Sequence, residues 1–131
     1  MRAEGTLRCI PAIFINMHAG ITPLYRGVHG GYWALAREDP CNCGVSVHLV
    51  DEGIDTGSVL GQSLIEPTDA DNFVTYGFLQ LGAGIPLLVD AVRQALNGQV
   101  TTIKSPEGPS RFWSHPTLCS YIKDFVVRKV K

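Results

Sequence analysis

NMHAGITPLYRG (Asn16–Gly27) and VDEGIDTG (Val50–Gly57) are the two stretches that decide the fold of this chain. Each lies at the end of an apolar, strand-like run, and together they place an amide, an imidazole and carboxylates there. A buried core has no need of such side chains. The two stretches therefore predict a reaction site at strand ends.

Length and composition are those of one small soluble domain spanning residues 1–131. The chain has 131 residues, 45% of them hydrophobic, and a net charge of −1. That charge does not provide the basic stripe of a nucleic-acid-binding protein, so nucleic acid is not an expected partner. No apolar run approaches the roughly 20 residues of a membrane span, and no signal segment begins the chain. We therefore expect a cytoplasmic protein, in which the four cysteines are reduced thiols.

The first two thirds of the chain predict strands joined by short connections. Residues 9–17 form an apolar run that predicts a strand buried on both faces and ending near His18. A brief helix is expected over residues 32–38, stopped by Pro40. Residues 45–50 and 59–65 predict a pair of strands across a turn at 51–58.

Two helices are expected after the strands. The first spans about residues 71–97, with Asp69 or Asp71 as N-cap and Gly98 as its C-terminal stop, and Pro86 predicts a kink or a division into two. The second, over residues 117–131, carries an apolar stripe of Leu118, Tyr121, Ile122, Phe125 and Val126. The resulting order of strands and helices predicts an α/β fold.

Four motifs in a fixed order carry a resemblance to a known family. They are Asn16-x-His18, Pro23-x-Tyr-Arg-Gly27, Gly44-Val-Ser-Val-His48 and Asp51-x-Gly-x-Asp-x-Gly57. This combination resembles the catalytic domain of the folate-dependent formyltransferases, which act on glycinamide ribonucleotide, methionyl-tRNA and sugar nucleotides. The resemblance covers roughly residues 10 to 100. It implies a partial formyltransferase fold, Rossmann-like, with a short mixed sheet flanked by helices.

The resemblance also implies roles for particular residues. It makes Asn16, His18 and Asp55 the catalytic triad and 10-formyltetrahydrofolate the formyl donor, with an amine as acceptor and no metal. Folate is expected to contact the loop residues Val50, Asp51, Glu52, Gly53, Ile54 and Gly57.

The chemistry of formyl transfer suits these residue types. An amine attacks an amide-like carbonyl, so negative charge builds on oxygen and a proton must leave the attacking nitrogen. Asn16 can donate its NH₂ to that oxygen. His18, on the same face of a strand, can donate to the oxygen or move the proton, and Asp55 can orient the imidazole or a water. We expect the three side chains to converge beside a pocket large enough for a cofactor.

Other interpretations remain open at this point. Water in place of the amine would make the chain a formyltetrahydrofolate hydrolase, and an incomplete cleft would leave a non-catalytic folate-binding module or an interaction protein. The loop carboxylates can be plain turn-formers. His48, His29 and His115 are expected to be structural. A zinc site at Cys41-Asn-Cys43 with His48 is disfavoured because the cysteine spacing is too short.

Two departures from the family pattern shape what is expected of this chain. Gly20-Ile-Thr-Pro23 stands where the family has Ser-Leu-Leu-Pro, which leaves the acceptor unidentified. The family's first strands and its glycine-rich loop have no counterpart here, so the domain is interpreted as truncated on its N-terminal side. The strand over Ile10–Asn16 would then lose a neighbour, and a bare apolar edge predicts a homo-oligomer formed there.

Overall fold

A small antiparallel sheet forms the centre of the molecule. The structure, a computed structural model, describes residues 9–131 together with Gly5 and Leu7. Strand β3 (Gly44–Leu49) is the middle strand of three, and its antiparallel neighbours are β1 (Ile15–His18) and β4 (Val59–Leu64). The strand β2 (Arg26–Gly27) belongs to a separate, two-stranded sheet. The predicted α/β class is confirmed.

The pairing of β3 with β4 agrees with the strands predicted over residues 45–50 and 59–65. Val45 and Val47 are at most 1% exposed, and the valines of β3 supply the buried, β-branched side chains that favour a central strand. The register shifts between Val47 and His48, as at a β-bulge. The connection over residues 50–58 carries the second of the two decisive sequence stretches.

β1 is shorter than the sequence predicts, and the expectation of a strand buried on both faces over residues 9–17 is wrong. Pairing with β3 begins only where Ile15 lies opposite Leu49. Ile10 and Ile13, which precede that point, are each 55% exposed. β3 is the only pairing partner of β1 among the described residues, so β1 forms an edge of the sheet.

The first helix, α1 (Gly30–Ala36), begins two residues before its predicted start. The helix begins with Gly30 and Gly31, where neighbouring atoms lie too close to leave room for a side chain. A Cβ on Gly30 would lie 2.5 Å from Gly20 Cα. After α1, Pro40 begins a short 3₁₀ turn over Pro40–Asn42, which agrees with its predicted role as a helix stop.

The long helix α2 runs over Thr75–Leu96 with Pro86 inside it, so the division into two helices, one of the two expected outcomes at Pro86, does not occur. The predicted N-caps are wrong. Asn72 Oδ1 accepts from the backbone N–H groups of Val74 and Thr75, whereas the Asp71 carboxylate binds Thr68. Gly98, with φ of 67°, follows the helix as predicted.

The two faces of α2 have very different surroundings. On the inner face, Gly84 packs on Met17 and Val45, and the Gln80 amide donates to the carbonyl of Gly44 at 2.6 Å. The outer face exposes a row of large apolar side chains, each at least 42% exposed: Val74, Phe78, Leu81, Ile85, Val89, Val92 and Leu96. This row is called the outer stripe below.

Contrary to the sequence analysis, α2 is long and apolar enough to cross a membrane by length and composition alone. The helix has 22 residues, and an 18-residue window within it has a mean hydropathy of 1.3. Helices that pack on a sheet in water-soluble domains pass the same test, and α2 packs on β3 and β4. The hydropathy of α2 is therefore not evidence for a membrane.

The C-terminal third adds a second sheet and a last helix. β5 (Phe112–Trp113) pairs in parallel with β2, and neither short strand was expected from the sequence. Helix α3 (Leu118–Arg128) is shorter than the predicted 117–131 because Lys129 adopts a left-handed conformation. Most of its predicted apolar stripe is exposed, Leu118 at 72%, and α3 is held instead by the hydrogen bond from Tyr32 to the buried Asp124 at 2.9 Å.

Candidate functional site

β1 and the loop over residues 50–58 place the three side chains expected to be catalytic. Asn16 and His18 are two residues apart on β1, so they project from the same face of the strand. Asp55 lies in the loop in a left-handed conformation, with φ of 52°. This backbone conformation is uncommon for residues other than glycine and is often found at functional sites.

The three side chains lie within reach of one another. The Asn16 amide donates to Asp55 Oδ1 at 3.4 Å, and His18 Nδ1 is 3.4 Å from Asp55 Oδ2. The backbone N–H of Gly27 donates to the same Oδ2 at 3.0 Å. The side chains of His18 and Asp55 are only 7% and 11% exposed, so water screens their interaction little.

His48 is the site residue that sequence reasoning missed. It lies directly opposite Asn16 on β3, and its Nε2 is 3.2 Å from the Asn16 amide nitrogen and 3.5 Å from Asp55 Oδ1. Its Nδ1–H donates to the carbonyl of Leu49 at 2.8 Å, so Nε2 is the nitrogen that faces Asn16 and Asp55. The register of β1 against β3 was the missing information, since antiparallel pairing brings His48 and Asn16 to one place.

The surroundings of His48 and Asp55 favour their charged forms. Burial lowers the pKa of His48, but the Asp55 carboxylate and the Leu49 carbonyl more than offset this, so its pKa is raised. Burial raises the pKa of Asp55, yet the hydrogen bonds from His48 and Gly27 outweigh burial and lower it. The two groups therefore stabilise each other as an ion pair.

His18 has the opposite tendency. Burial lowers its pKa, although the carbonyl of Tyr25 and the charge of Asp55 act against that effect. Its Nε2–H donates to the Tyr25 carbonyl at 2.7 Å, which leaves Nδ1 as the nitrogen that faces Asp55. A neutral His18 can thus accept a proton at Nδ1 while Nε2 keeps the ring oriented.

Most of the predicted folate-contacting loop is open to solvent. Asp51, Glu52, Gly53 and Ile54 are exposed, Ile54 at 59%, and Val50 and Gly57 are partly buried. Asp51 is a turn-former, since its carboxylate accepts from Gly53 and Thr56 within the loop. The Asp55 carboxylate instead contacts Asn16 and both histidines outside the loop, so the plain turn-former interpretation does not account for it.

The loop backbone is closely fitted to β3. A Cβ on Gly57 would lie 1.7 Å from the carbonyl oxygen of Leu49, so this position requires glycine. The cavity that touches Asp55 has a volume of ≈ 110 Å³, and Thr22, Arg26 and Ser105 contribute to its walls. This is less than the roughly 300 Å³ at which ligand pockets begin, so the expected cofactor-sized pocket beside Asp55 is not this cavity.

The cysteines are free thiols and do not form a metal site in the described part of the chain. Cys43 is buried and donates to the carbonyl of Gly31, and burial raises its pKa to about 11. Cys41 is exposed. Residues 9–131, with Gly5 and Leu7, contain no group of three His, Cys, Asp or Glu side chains that could hold a metal ion.

Comparison with known proteins identifies relatives of known type. The chain is 34% identical over 87 residues to the methionyl-tRNA formyltransferase of Thermodesulfovibrio yellowstonii, and the match covers 66% of this chain and 28% of that protein. The methionyl-tRNA formyltransferase of Synechococcus sp. (strain JA-3-3Ab) is 37% identical over 106 residues, with 79% and 31% covered. The chain thus matches about a third of the length of these relatives.

Solved structures share the fold. An N-formyltransferase from Helicobacter canadensis, solved with folinic acid and dTDP-3-aminofucose, superposes with a TM-score of 0.66 at 25% identity, covering 76% of this chain and 37% of that one. A 4-N formyltransferase from Francisella tularensis gives a TM-score of 0.67 at 23% identity, with 83% and 43% covered.

A sequence model of one family, described as formyl transferase, matches residues 4–78, which is more than half of the chain. The matched segment contains Asn16, His18, His48 and Asp55, and its fold is that of the solved formyltransferases. This chain therefore belongs to the formyl transferase family.

Proposed function

We propose that this chain transfers a formyl group from 10-formyltetrahydrofolate to an amine. The observation that carries the proposal is the convergence of Asn16 and His18 on Asp55, each with a polar atom 3.4 Å from its carboxylate, in a member of the formyl transferase family. The bound folate supplies the formyl group. The steps below concern what the side chains of this chain do.

Asn16 stabilises the oxygen of the formyl group. Its amide donates to Asp55 Oδ1 at 3.4 Å, which holds the side chain in place, and the second N–H of the NH₂ group is available for a carbonyl oxygen. As the amine attacks, negative charge grows on that oxygen. A fixed donor that meets this charge typically contributes a factor of about 10² to 10³ in rate.

Asp55 and His18 receive the proton that the attacking amine must lose. The lowered pKa of Asp55 keeps it ionised at neutral pH, and the lowered pKa of His18 keeps Nδ1 available as an acceptor. The new C–N bond forms as the bond from the formyl carbon to the folate nitrogen breaks. The proton passes through Asp55 and His18 to that nitrogen, so the balance is one formylated amine and one tetrahydrofolate.

The exposed loop is the surface that we assign to the pterin of the folate. Val50, Asp51, Glu52, Gly53, Ile54 and Gly57 border Asp55, and the loop is open enough for a flat ligand to reach its backbone. The ≈ 110 Å³ cavity on Asp55 is too small for a pterin, so the ligand must lie across the loop. The polar backbone edge and the 59% exposed Ile54 fit a ring with one polar rim and two apolar faces.

The acceptor is proposed to be a small-molecule amine, and the protein is proposed to act in the cytoplasm. The relatives named above include enzymes for methionyl-tRNA and, in a solved structure, a complex with dTDP-3-aminofucose. An aminosugar nucleotide and methionyl-tRNA are therefore the two acceptor classes to test first. The net charge of −1 favours the smaller one.

One assay separates the candidate functions. The purified chain is incubated with 10-formyltetrahydrofolate, and tetrahydrofolate is measured with and without each amine. Amine-dependent turnover that is lost in Asn16→Ala and Asp55→Asn supports the transferase. Amine-independent turnover with release of formate identifies a hydrolase. Folate binding without turnover identifies a non-catalytic binding module, and an absence of binding refutes all three.

We also propose that this chain self-associates through β1. Among the described residues, β1 has a pairing partner on one side only, and the preceding Ile10 and Ile13 are each 55% exposed. Such edges pair with other chains. A sedimentation experiment at micromolar concentration is expected to give more than the monomer mass of 14.2 kDa. A charge introduced by Ile15→Lys, on the pairing strand, should restore the monomer, and a monomeric wild type contradicts the proposal.

A further inference from the structure

The turn over residues 24–28 holds two members of the proposed triad at once. The carbonyl of Tyr25 accepts from His18 Nε2 at 2.7 Å, and the N–H of Gly27 donates to Asp55 Oδ2 at 3.0 Å. The Arg26 guanidinium donates to the carbonyl of Ile54 at 2.9 Å, next to Asp55. Any shift of this turn therefore moves His18 and Asp55 relative to each other.

Trp113 anchors the turn from the opposite side. Its indole N–H donates to the carbonyl of Leu24 at 3.0 Å, and its own carbonyl accepts from the N–H of Val28 at 3.0 Å. Its ring stacks on Tyr25, with ring centres 5.8 Å apart and planes 20° apart. Trp113 thus contacts the first residue of the turn, Leu24, its last residue, Val28, and the ring of Tyr25 between them.

Gly27 makes this contact close. A Cβ on Gly27 would lie 2.2 Å from the carbonyl oxygen of Trp113, and the residue has φ of 96°. No other amino acid fits this combination without strain. The pairing of Gly27 with Trp113 of β5 fixes the orientation of this peptide, so the N–H of Gly27 points at Asp55.

We propose that Trp113 is a positioning residue for the reaction, acting on Asp55 and His18 through the turn over residues 24–28. Trp113 lies beyond residues 4–78, which the family's sequence model matches. The inference rests on the proposed function for its kinetic part only. The arrangement of Asp55 against the histidines can be measured without any turnover.

The test uses Trp113→Phe and Trp113→Leu, with Trp33→Phe as the matched control. Trp33 stacks on Trp113 in the same aromatic cluster, with ring centres 4.9 Å apart, and its indole N–H also binds a carbonyl. That carbonyl belongs to Ser114, outside the turn. Both Phe variants therefore carry the general cost of replacing an indole by a phenyl ring. The hydrogen bond to Leu24 is lost only in the Trp113 variants.

The first readout is the titration of His48, followed by NMR on its ring protons. Asp55 raises the pKa of His48, so a displaced Asp55 lowers it. We expect a downward shift in Trp113→Leu, a smaller one in Trp113→Phe and none in Trp33→Phe. If Trp113→Leu fails to fold, the proposal is tested by comparing the pKa of His48 in Trp113→Phe with that in Trp33→Phe. An unchanged titration in folded Trp113 variants, or an equal shift in Trp33→Phe, overturns the proposal.

The second readout is kinetic and applies once the wild type transfers formyl groups. A misplacement of reacting groups by about 1 Å can cost about 10² in rate, and for the smaller shift expected in Trp113→Leu we expect kcat to fall about 10-fold. KM for 10-formyltetrahydrofolate should change less than kcat, because Trp113 itself does not contact the loop residues assigned to the folate and the turn reaches them through the hydrogen bond from Arg26 to Ile54. A change confined to KM overturns the proposal. An inactive wild type refutes the proposed function but leaves the titration as a valid test.

Discussion

The candidate site at the end of the central sheet and the outer stripe of α2 differ in how their side chains are surrounded. At the site, each of the four side chains of Asn16, His18, His48 and Asp55 contacts at least one of the others. Along the outer stripe, large apolar side chains such as Phe78 are 68% exposed. The polar side chains of the candidate site are therefore held by one another within the chain, whereas one apolar face of α2 has no cover among the described residues.

The largest expected effect compares two carboxylates of one loop. Asp55→Asn removes the charge between His18 and His48, so formyl transfer should fall by about 10³, within the range for a lost acid–base partner. Asp51→Asn, a matched change at a turn-forming residue, should alter kcat at saturating folate by less than about 3-fold, because the Asp51 carboxylate binds Gly53 and Thr56 within the loop and the pterin is assigned to the loop backbone. Steady-state kinetics on the two variants makes the comparison. Equal losses would show that the loop fold, and not the Asp55 carboxylate, matters.

The next effect concerns Asn16. Asn16→Ala removes the proposed donor to the formyl oxygen, and we expect kcat to fall by about 10². The folate affinity should stay within a few-fold of wild type, because the donor acts mainly on the charge that develops during the reaction. Kinetics with separate measurement of folate binding distinguishes the two quantities. A loss of binding with unchanged kcat would remove Asn16 from the chemistry.

Two glycines of α2 sharpen the contrast between its inner and outer face. A Cβ on Gly84 would meet Met17 Sδ at 2.5 Å and Val45 Cγ2 at 2.9 Å, so Gly84→Ala should lower the free energy of unfolding by about 1–2 kcal/mol. A Cβ on Gly82 would have no neighbour within 4 Å, so Gly82→Ala should raise it by about 0.5–1 kcal/mol. Urea unfolding measures both. The same sign for the two variants would contradict the packing of α2 described above.

The smallest expected effect is on the pH dependence of stability. The pKa of His48 is raised from 6.5, so its contribution is complete below pH 6.5 and is lost as the pH rises through the higher folded-state value. The pKa of His18 is lowered from 6.5, so stability falls as the pH drops from 6.5 toward the lower folded-state value. Unfolding of His48→Gln should lack the alkaline loss and keep the acidic one. A profile unchanged by His48→Gln would show that the Asp55 interaction is weak.

The sequence predicted the parts of the fold that depend on local chemistry. Side-chain and backbone preferences predict the strands β3 and β4, the glycine after α2 and the end of α1 before Pro40. The start of β1 was missed, because Ile10 and Ile13 are apolar but have no strand to pair with in the described residues. Apolarity alone does not determine burial when the partner surface is unknown.

The candidate site shows the same limit. Asn16, His18 and Asp55 were identified from motifs, because these keep their spacing along the chain. His48 and Trp113 were not, because His48 depends on the register of β1 against β3 and Trp113 lies 86 residues beyond Gly27, which it contacts through β5. Long-range pairing of two-residue strands leaves no pattern in the sequence.

The central claim is that Asp55, held between Asn16 and the two histidines, serves formyl transfer and not only the fold. The most direct test measures tetrahydrofolate formed from 10-formyltetrahydrofolate and an amine by the wild type, Asp55→Asn and Asp51→Asn at equal concentrations of folded protein. We predict turnover in the wild type and Asp51→Asn and a loss of about 10³ in Asp55→Asn. Equal rates in all three proteins, or no turnover above the uncatalysed reaction, would contradict the claim.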